Sequence, residues 1–187
     1  MKVKLVTAAI VLALAQFSFA IGDLAIGPFY GMAMPVGNDL VKAGPLYGLQ
    51  AKLELIPMLS IGAHYSSRDY GNPTIESDIL GEQEIDGGSV SSFGVDAFLG
   101  KTTGMVGANL YLSGSFGTFK WKRDGFAEES KSSLAFGPGV ELVLPMKIGI
   151  EGRAMLEVVS TGNEATWKAF TWYVGANYHF SLTPGPM

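Results

Sequence analysis

Tyr47-Gly48-Leu49-Gln50-Ala51-Lys52-Leu53-Glu54-Leu55-Ile56-Pro57-Met58-Leu59-Ser60-Ile61-Gly62-Ala63-His64-Tyr65-Ser66 is the stretch that decides the fold. Tyr47, Leu49, Ala51, Leu53 and Leu55 alternate with Gly48, Gln50, Lys52 and Glu54, so the charges fall on one face of a period-two element. Pro57 cannot donate to a strand ladder and pre-sets a bend, which makes Ile56-Pro57-Met58 a tight turn. Leu59, Ile61, Ala63 and Tyr65 then resume the apolar face against Ser60, Gly62, His64 and Ser66. The segment reads as a β-hairpin with one greasy and one polar face.

The same pattern recurs along the chain. Strands are expected around 24–34, 93–99, 106–116, 134–144, 148–158 and 170–180 in addition to this hairpin, eight in all. Their connections alternate between long and short. The long ones include an acidic loop at 67–88 and a charged loop at 120–131. Glycine numbers 25 of 187 residues, well above the usual ~7%, and recurs inside the strands, as a small, tightly curved sheet requires. Glu54–Gly62 echoes Glu141–Gly149, either through duplication of a half-barrel or because two hairpins meet the same turn requirement.

Residues 1–20 carry Lys2 and Lys4, an apolar run from Leu5 to Ala15 and Ser18-Phe19-Ala20, the features of a cleavable secretory signal. That leaves one expected domain, 21–180, and a short tail, 181–187. The formal net charge of −4 argues against nucleic acid as a partner. The absence of cysteine excludes disulfides, a lipid anchor attached at a cleavage-site cysteine, a thiol nucleophile and thiolate metal sites. No cofactor or metal is expected.

Alternation alone does not say which face is wet, and a soluble periplasmic calyx would show it inside out. Three features favour a membrane barrel. Short connections at one end and longer ones at the other match periplasmic turns and outer loops. The apolar face carries Tyr30, Tyr47, Tyr65, Phe93, Phe116, Phe136 and Trp172 near the long-loop ends, as an interfacial aromatic girdle would. The apolar set is essentially free of charge over the length a tilted strand needs to cross a bilayer.

On these patterns, and on the last strand Tyr173-Val174-Gly175-Ala176-Asn177-Tyr178-His179-Phe180, the chain resembles the eight-stranded outer-membrane barrel families, the OmpA transmembrane domain and OmpX among them. The resemblance covers residues 21–180. It implies an all-β, eight-stranded antiparallel up-and-down transmembrane barrel in a bacterial outer membrane. The implied partners are outer-membrane lipid, lipopolysaccharide and the barrel-insertion machinery, the last reading Tyr178 and Phe180 as its signal. Ser181–Met187 continue past the terminal phenylalanine, a departure from the family pattern. A peptidoglycan-binding domain is not expected after the barrel.

Lys52, Glu54, Asp96, Glu141, Glu151, Arg153 and Glu157 share the lumenal parity. Eight strands enclose only enough room for side chains, and buried charges must pair. These residues form either a rigid ionic plug or a gate in which Lys52 or Arg153 exchanges carboxylates and opens a narrow water file. His64 and Ser66, with Glu76 and Asp78 downstream, resemble the residues of lipid A deacylases in spacing. The surrounding motif is missing, however, and the parity points both inward, which favours a lumenal histidine. Glu82, Glu84 and Asp86 lack the terminal ligand of a calcium loop, so the acidic loop reads as solvated. Lys120-Trp121-Lys122-Arg123 is either a lipid-phosphate contact or an ordinary polar loop. The expected role is non-enzymatic: a monomeric structural or interaction protein whose loops at 67–88 and 120–131 meet an extracellular partner. A narrow gated channel and a lipid A hydrolase are the alternatives.

Overall fold

The computed structural model describes residues 22–37, 41–56, 58–72, 74–77, 81–84, 87–100, 106–122, 128–160 and 166–182, with side-chain detail for all of these except 74–77, 81–84 and Glu129. The segment 1–20 expected as a secretory signal, the tail beyond Leu182, Asp78, Asp86 and Arg123 lie outside the described residues.

Among the described residues ten strands follow one another: β1 Asp23–Val36, β2 Gly44–Ile56, β3 Leu59–Asp69, β4 Thr74–Ser77, β5 Gly81–Glu84, β6 Ser89–Gly100, β7 Gly107–Lys122, β8 Glu129–Val143, β9 Ile148–Ser160 and β10 Thr166–Ser181. Eight close into a barrel in the order β1-β10-β9-β8-β7-β6-β3-β2, each antiparallel to its neighbours. β4 and β5 pair with each other as a separate hairpin between β3 and β6. Closure removes every sheet edge from the wall, which a bilayer demands.

The expected loop at 67–88 is too long at its start, and the one at 120–131 is too long at both ends. β3 runs to Asp69, β6 starts at Ser89, β7 reaches Lys122 and β8 starts at Glu129. Reading strands by their apolar face stops where that face ends, but the ladder continues beyond it with serine, threonine and lysine facing out. The contrast between long and short connections therefore softens, and the long β3–β6 connection carries the β4–β5 hairpin.

Outward positions are apolar through the middle of the wall and exposed, as at Leu49, Val95, Leu112, Val140 and Val174, while inward positions are buried. Between β2 and β3 and between β8 and β9 a residue sits in the left-handed region, Met58 at φ 71° and Lys147 at φ 64°. The two echoing hairpins nonetheless differ in the spacing of their strands: β2 ends at Ile56 and β3 starts at Leu59, whereas β8 ends at Val143 and β9 starts at Ile148.

Besides a register shift between Glu54 and Ile56 in the β2–β3 ladder, two gaps interrupt the described wall. The β1–β10 pairing passes from Ile26↔Tyr178 to Phe29↔Gly175, and the β8–β9 pairing from Phe136↔Leu156 to Gly139↔Arg153, with register unchanged across each gap. Gly27-Pro28 and Gly137-Pro138 occupy the gaps. Each proline lacks the N–H its neighbour would use. On their other sides both prolines remain paired, to Leu49 and Leu112.

Val174 lies midway along the outward face of β10. Val174→Arg is expected to cost about 2–4 kcal/mol for folding into lipid vesicles, read from urea titration. A water-facing valine would tolerate the change within about 0.5 kcal/mol, and that outcome would return the calyx reading.

Candidate functional site

The lumen gathers the chemistry. Its centre rests on a conflict: Glu141 of β8 and Glu151 of β9 are direct cross-strand partners, both fully buried. Like charges so placed repel. Lys52 from β2 reaches across the barrel between them, its Nζ 3.1 Å from Glu141 Oε2 and 2.8 Å from Glu151 Oε2. Asn177 of β10 bridges the same pair, its Nδ2 donating to Glu141 Oε1 at 2.6 Å and Glu151 Oε2 at 2.8 Å. His179 Nε2 adds a contact to Glu141 Oε1 at 3.1 Å.

Glu151 also accepts from Tyr111, from Gln50 and, at 3.0 Å, from Arg153 Nη2. Gln50 uses both ends of its amide. Its Nε2 donates to Glu151 and to Asn177 Oδ1, and its Oε1 accepts from Arg153 Nη2 and the Tyr173 hydroxyl, each at 3.2 Å. Aromatic faces enclose the cations. The Arg153 guanidinium carbon lies 4.7 Å from the Phe98 ring centre and 5.1 Å from that of Tyr173, and Lys52 Nζ lies 5.2 Å from that of Tyr111. Glycine makes room for these rings. Tyr111 sits opposite Gly139, where a Cβ would run into the phenol ring, and Tyr173 sits opposite Gly31.

Toward the long-loop end the lumen changes character. His64 Nδ1 meets Asp96 Oδ2 at 2.9 Å, and the Ser66 and Ser92 hydroxyls meet at 2.6 Å. Beside them lies a cavity of about 30 Å³ with Ser66, Ser92, Ser115, Ser133 and Thr171 in its wall, roomy and polar enough for water. Arg68 pairs with Glu157 above it and lies 5.5 Å from the Phe119 ring centre. The mouth itself is dry. Trp167 packs on Phe119 at 5.2 Å, Tyr70 at 5.6 Å and Trp121 at 6.1 Å between ring centres, with Val90 and Val159 buried alongside. Burial pushes the Tyr70 hydroxyl up to about 12.

Of the residues expected in the lumenal network, Lys52, Asp96, Glu141, Glu151, Arg153 and Glu157 are all buried inside. Glu54 stands apart. It is only partly buried at the short-turn rim and accepts a backbone hydrogen bond from Asp23. Arg68, which falls within the loop expected at 67–88, is instead a buried lumenal cation. Carrying the β3 alternation two residues past Ser66 would have found it. Gln50, Tyr111, Tyr173 and Asn177 also share the inward parity, but as neutral residues they carry no sequence signal of charge pairing.

The seven girdle aromatics are all exposed on the outward face, with Tyr30 opposite Tyr47 and Tyr65 opposite Phe93 in the ladder. Tyr178 and Phe180 also face outward, their ring centres 4.7 Å apart. His64 and Ser66 each spend their polar groups on another lumenal partner, Asp96 and Ser92. Among the described residues, histidine and carboxylate side chains form no cluster able to hold a metal ion.

No protein-family model and no curated protein matches the chain. Solved structures do. Neisserial surface protein A (NspA) aligns at 13% identity and a TM-score of 0.58, covering 85% of this chain and 97% of that one. The N-terminal β-barrel domain of Pseudomonas aeruginosa OprF aligns at 16% identity and 0.53, covering 85% and 99%. The fold is that of the eight-stranded outer-membrane barrels. A major outer membrane protein from Thermus thermophilus shares it at 11% identity and a TM-score of 0.51, over 85% of this chain and 99% of the other. At these identities the likeness is one of architecture, and the lumenal side chains must be read from this chain itself.

Lys52→Met leaves Glu141 and Glu151 opposed without their shared cation. It is expected to cost about 3–5 kcal/mol, measured by urea unfolding in vesicles, and adding Glu151→Gln should recover most of the loss. A single-variant cost below about 1 kcal/mol would mean that Lys52 does not hold the pair.

Proposed function

We propose that the protein is a small integral outer-membrane barrel with a non-enzymatic, structural or interaction role, meeting its surroundings through its outer wall and loop end while its lumen serves as a rigid plug. The observation that carries this reading is the double closure of the lumen. The Tyr70–Phe119–Trp121–Trp167 cluster fills the mouth, and the Lys52–Glu141–Glu151–Arg153 network fills the centre, so the polar cavity between them is small. Opening a water file would require displacing both a dry aromatic layer and a cross-linked ionic one. The secretory signal expected at 1–20 and the fold shared with outer-membrane barrels support the location.

The placement of Ser66 supports a non-enzymatic role. Its hydroxyl is buried against Ser92 inside the wall, where no lipid ester reaches it. The acidic β4–β5 connection and the ends of β7 and β8 are the surfaces left for an extracellular partner.

Refolded protein showing the heat-dependent gel shift of a closed barrel is expected to leave a planar bilayer silent. Discrete openings abolished by Arg153→Ala would replace this reading with the gated channel.

A further inference from the structure

Toward the long-loop end the lumen is short of hydrogen-bond acceptors. Among the described residues six buried side-chain polar atoms have no hydrogen-bond partner: Arg68 Nε, Tyr70 Oη, Trp121 Nε1, Trp167 Nε1, Asp96 Oδ1 and His179 Nδ1. The first four carry donor hydrogens and share one neighbourhood. The Tyr70, Trp121 and Trp167 rings lie 6.3, 5.6 and 6.1 Å apart in their three pairings. The Arg68 guanidinium lies beside Tyr70 and 5.5 Å from the Phe119 ring centre. The other two stand apart from this group. Asp96 has the Ser115 hydroxyl beside it as a donor. His179 is at the short-turn end, where its backbone donates to the Lys147 carbonyl at 2.9 Å. Buried polar groups left unpartnered are rare, and four donors together call for an acceptor.

The lumenal cavity of about 30 Å³ borders this neighbourhood at Arg68. Two guanidiniums, Arg68 and Arg153, line it against one carboxylate, Glu157. Both guanidiniums are buried. The carboxylates that answer Arg153 and His64, namely Glu151 and Asp96, stand outside the lining. Ser66 and Ser92 share one hydrogen bond between their hydroxyls, which leaves one of their two hydrogens to point elsewhere. Ser133 and Thr171 add two more hydroxyls to the same wall. A water molecule does not mend the shortage, because it brings two donor hydrogens along with its lone pairs. An anion only accepts, and it strengthens each bond it receives. The volume suits a single-atom ion as well as it suits water, and the lining leaves one positive charge to balance.

We propose that this cavity is a binding site for one small monovalent inorganic anion, a chloride ion, which accepts the Arg68 Nε–H and hydroxyl hydrogens from Ser66 or Ser92, Ser133 and Thr171. An ion so held ties β3, β6, β8 and β10 across the lumen, as Lys52 ties β2 to β8 and β9 at its centre. The inference rests on the closed-lumen reading above, which bilayer silence tests apart from it.

The test uses the full barrel refolded into vesicles and titrated with urea over a range of chloride concentrations, with gluconate holding the ionic strength constant. Once the site fills, each tenfold rise in chloride is expected to raise the folding equilibrium constant about tenfold. Ser133→Ala combined with Thr171→Val should move the onset of this rise to about tenfold higher chloride or more. Arg68→Lys, which keeps a cation opposite Glu157 but removes the Nε–H, should move it the same way. Ser113→Ala is the neutral control, since that hydroxyl donates to the Gly137 carbonyl outside the cavity. Crystals of barrel refolded in bromide should show an anomalous peak in the cavity. A folding constant indifferent to chloride would overturn the proposal, as would an onset unmoved in both variants or bromide found on the exterior alone. A cavity peak without the solution dependence would mean binding at crystal concentration only and would overturn it too. Openings in the planar bilayer would instead overturn the closed lumen on which the site rests.

Discussion

The architecture depends on keeping two buried carboxylates apart in effect while the ladder holds them together in space. Glu141 and Glu151 are fixed opposite one another by the β8–β9 register. Nothing in the backbone relieves that repulsion. Relief comes from Lys52 on β2, far from β8 and β9 in sequence, and from Asn177 on the neighbouring β10. The interior is therefore a set of cross-barrel ties. Each charged residue on one part of the wall is satisfied by a residue on another, and the wall cannot deform without breaking several ties together.

Those ties need space, and glycine supplies it. A closed wall of eight strands leaves little interior volume, yet this lumen holds Phe29, Phe98, Tyr111 and Tyr173 together with Arg153. Tyr111 and Arg153 both face Gly139 across the ladder, and Phe29 faces Gly48. The glycine content is thus an interior packing device: bulky, hydrogen-bonding side chains on one strand are matched by missing ones on the next.

Much of this is legible in the sequence because a strand has a period of two. Parity alone assigns Lys52, Asp96, Glu141, Glu151, Arg153 and Glu157 to the lumen and the seven girdle aromatics to the outside. Parity does not say where a strand stops, since the ladder outlasts the apolar face. Arg68 and Trp121 therefore read as loop residues in the sequence, although they lie at the ends of β3 and β7. Parity also does not say which lumenal residues meet. Lys52 could have faced any of several carboxylates, and its choice of Glu141 and Glu151 depends on the shear and closure of the barrel, which no local pattern encodes. The aromatic mouth is invisible for the same reason: Tyr70 follows β3, Phe119 and Trp121 lie on β7, and Trp167 lies on β10.

The Gly-Pro interruptions have a mechanical consequence. One lies between β1 and β10 and the other between β8 and β9, so the β9–β10 hairpin is bordered on both sides by seams that skip backbone pairings. Its own internal ladder runs unbroken from Thr166↔Ser160 to Tyr178↔Ile148. Parting the wall along those two seams would carry the hairpin out as one rigid flap. The same hairpin supplies Glu151, Arg153, Glu157, Tyr173, Asn177 and His179 to the interior. Behind the backbone pairings that remain on both seams, a latch of side chains fastens this flap as well, so thermal breathing of the wall is governed in part from within the lumen.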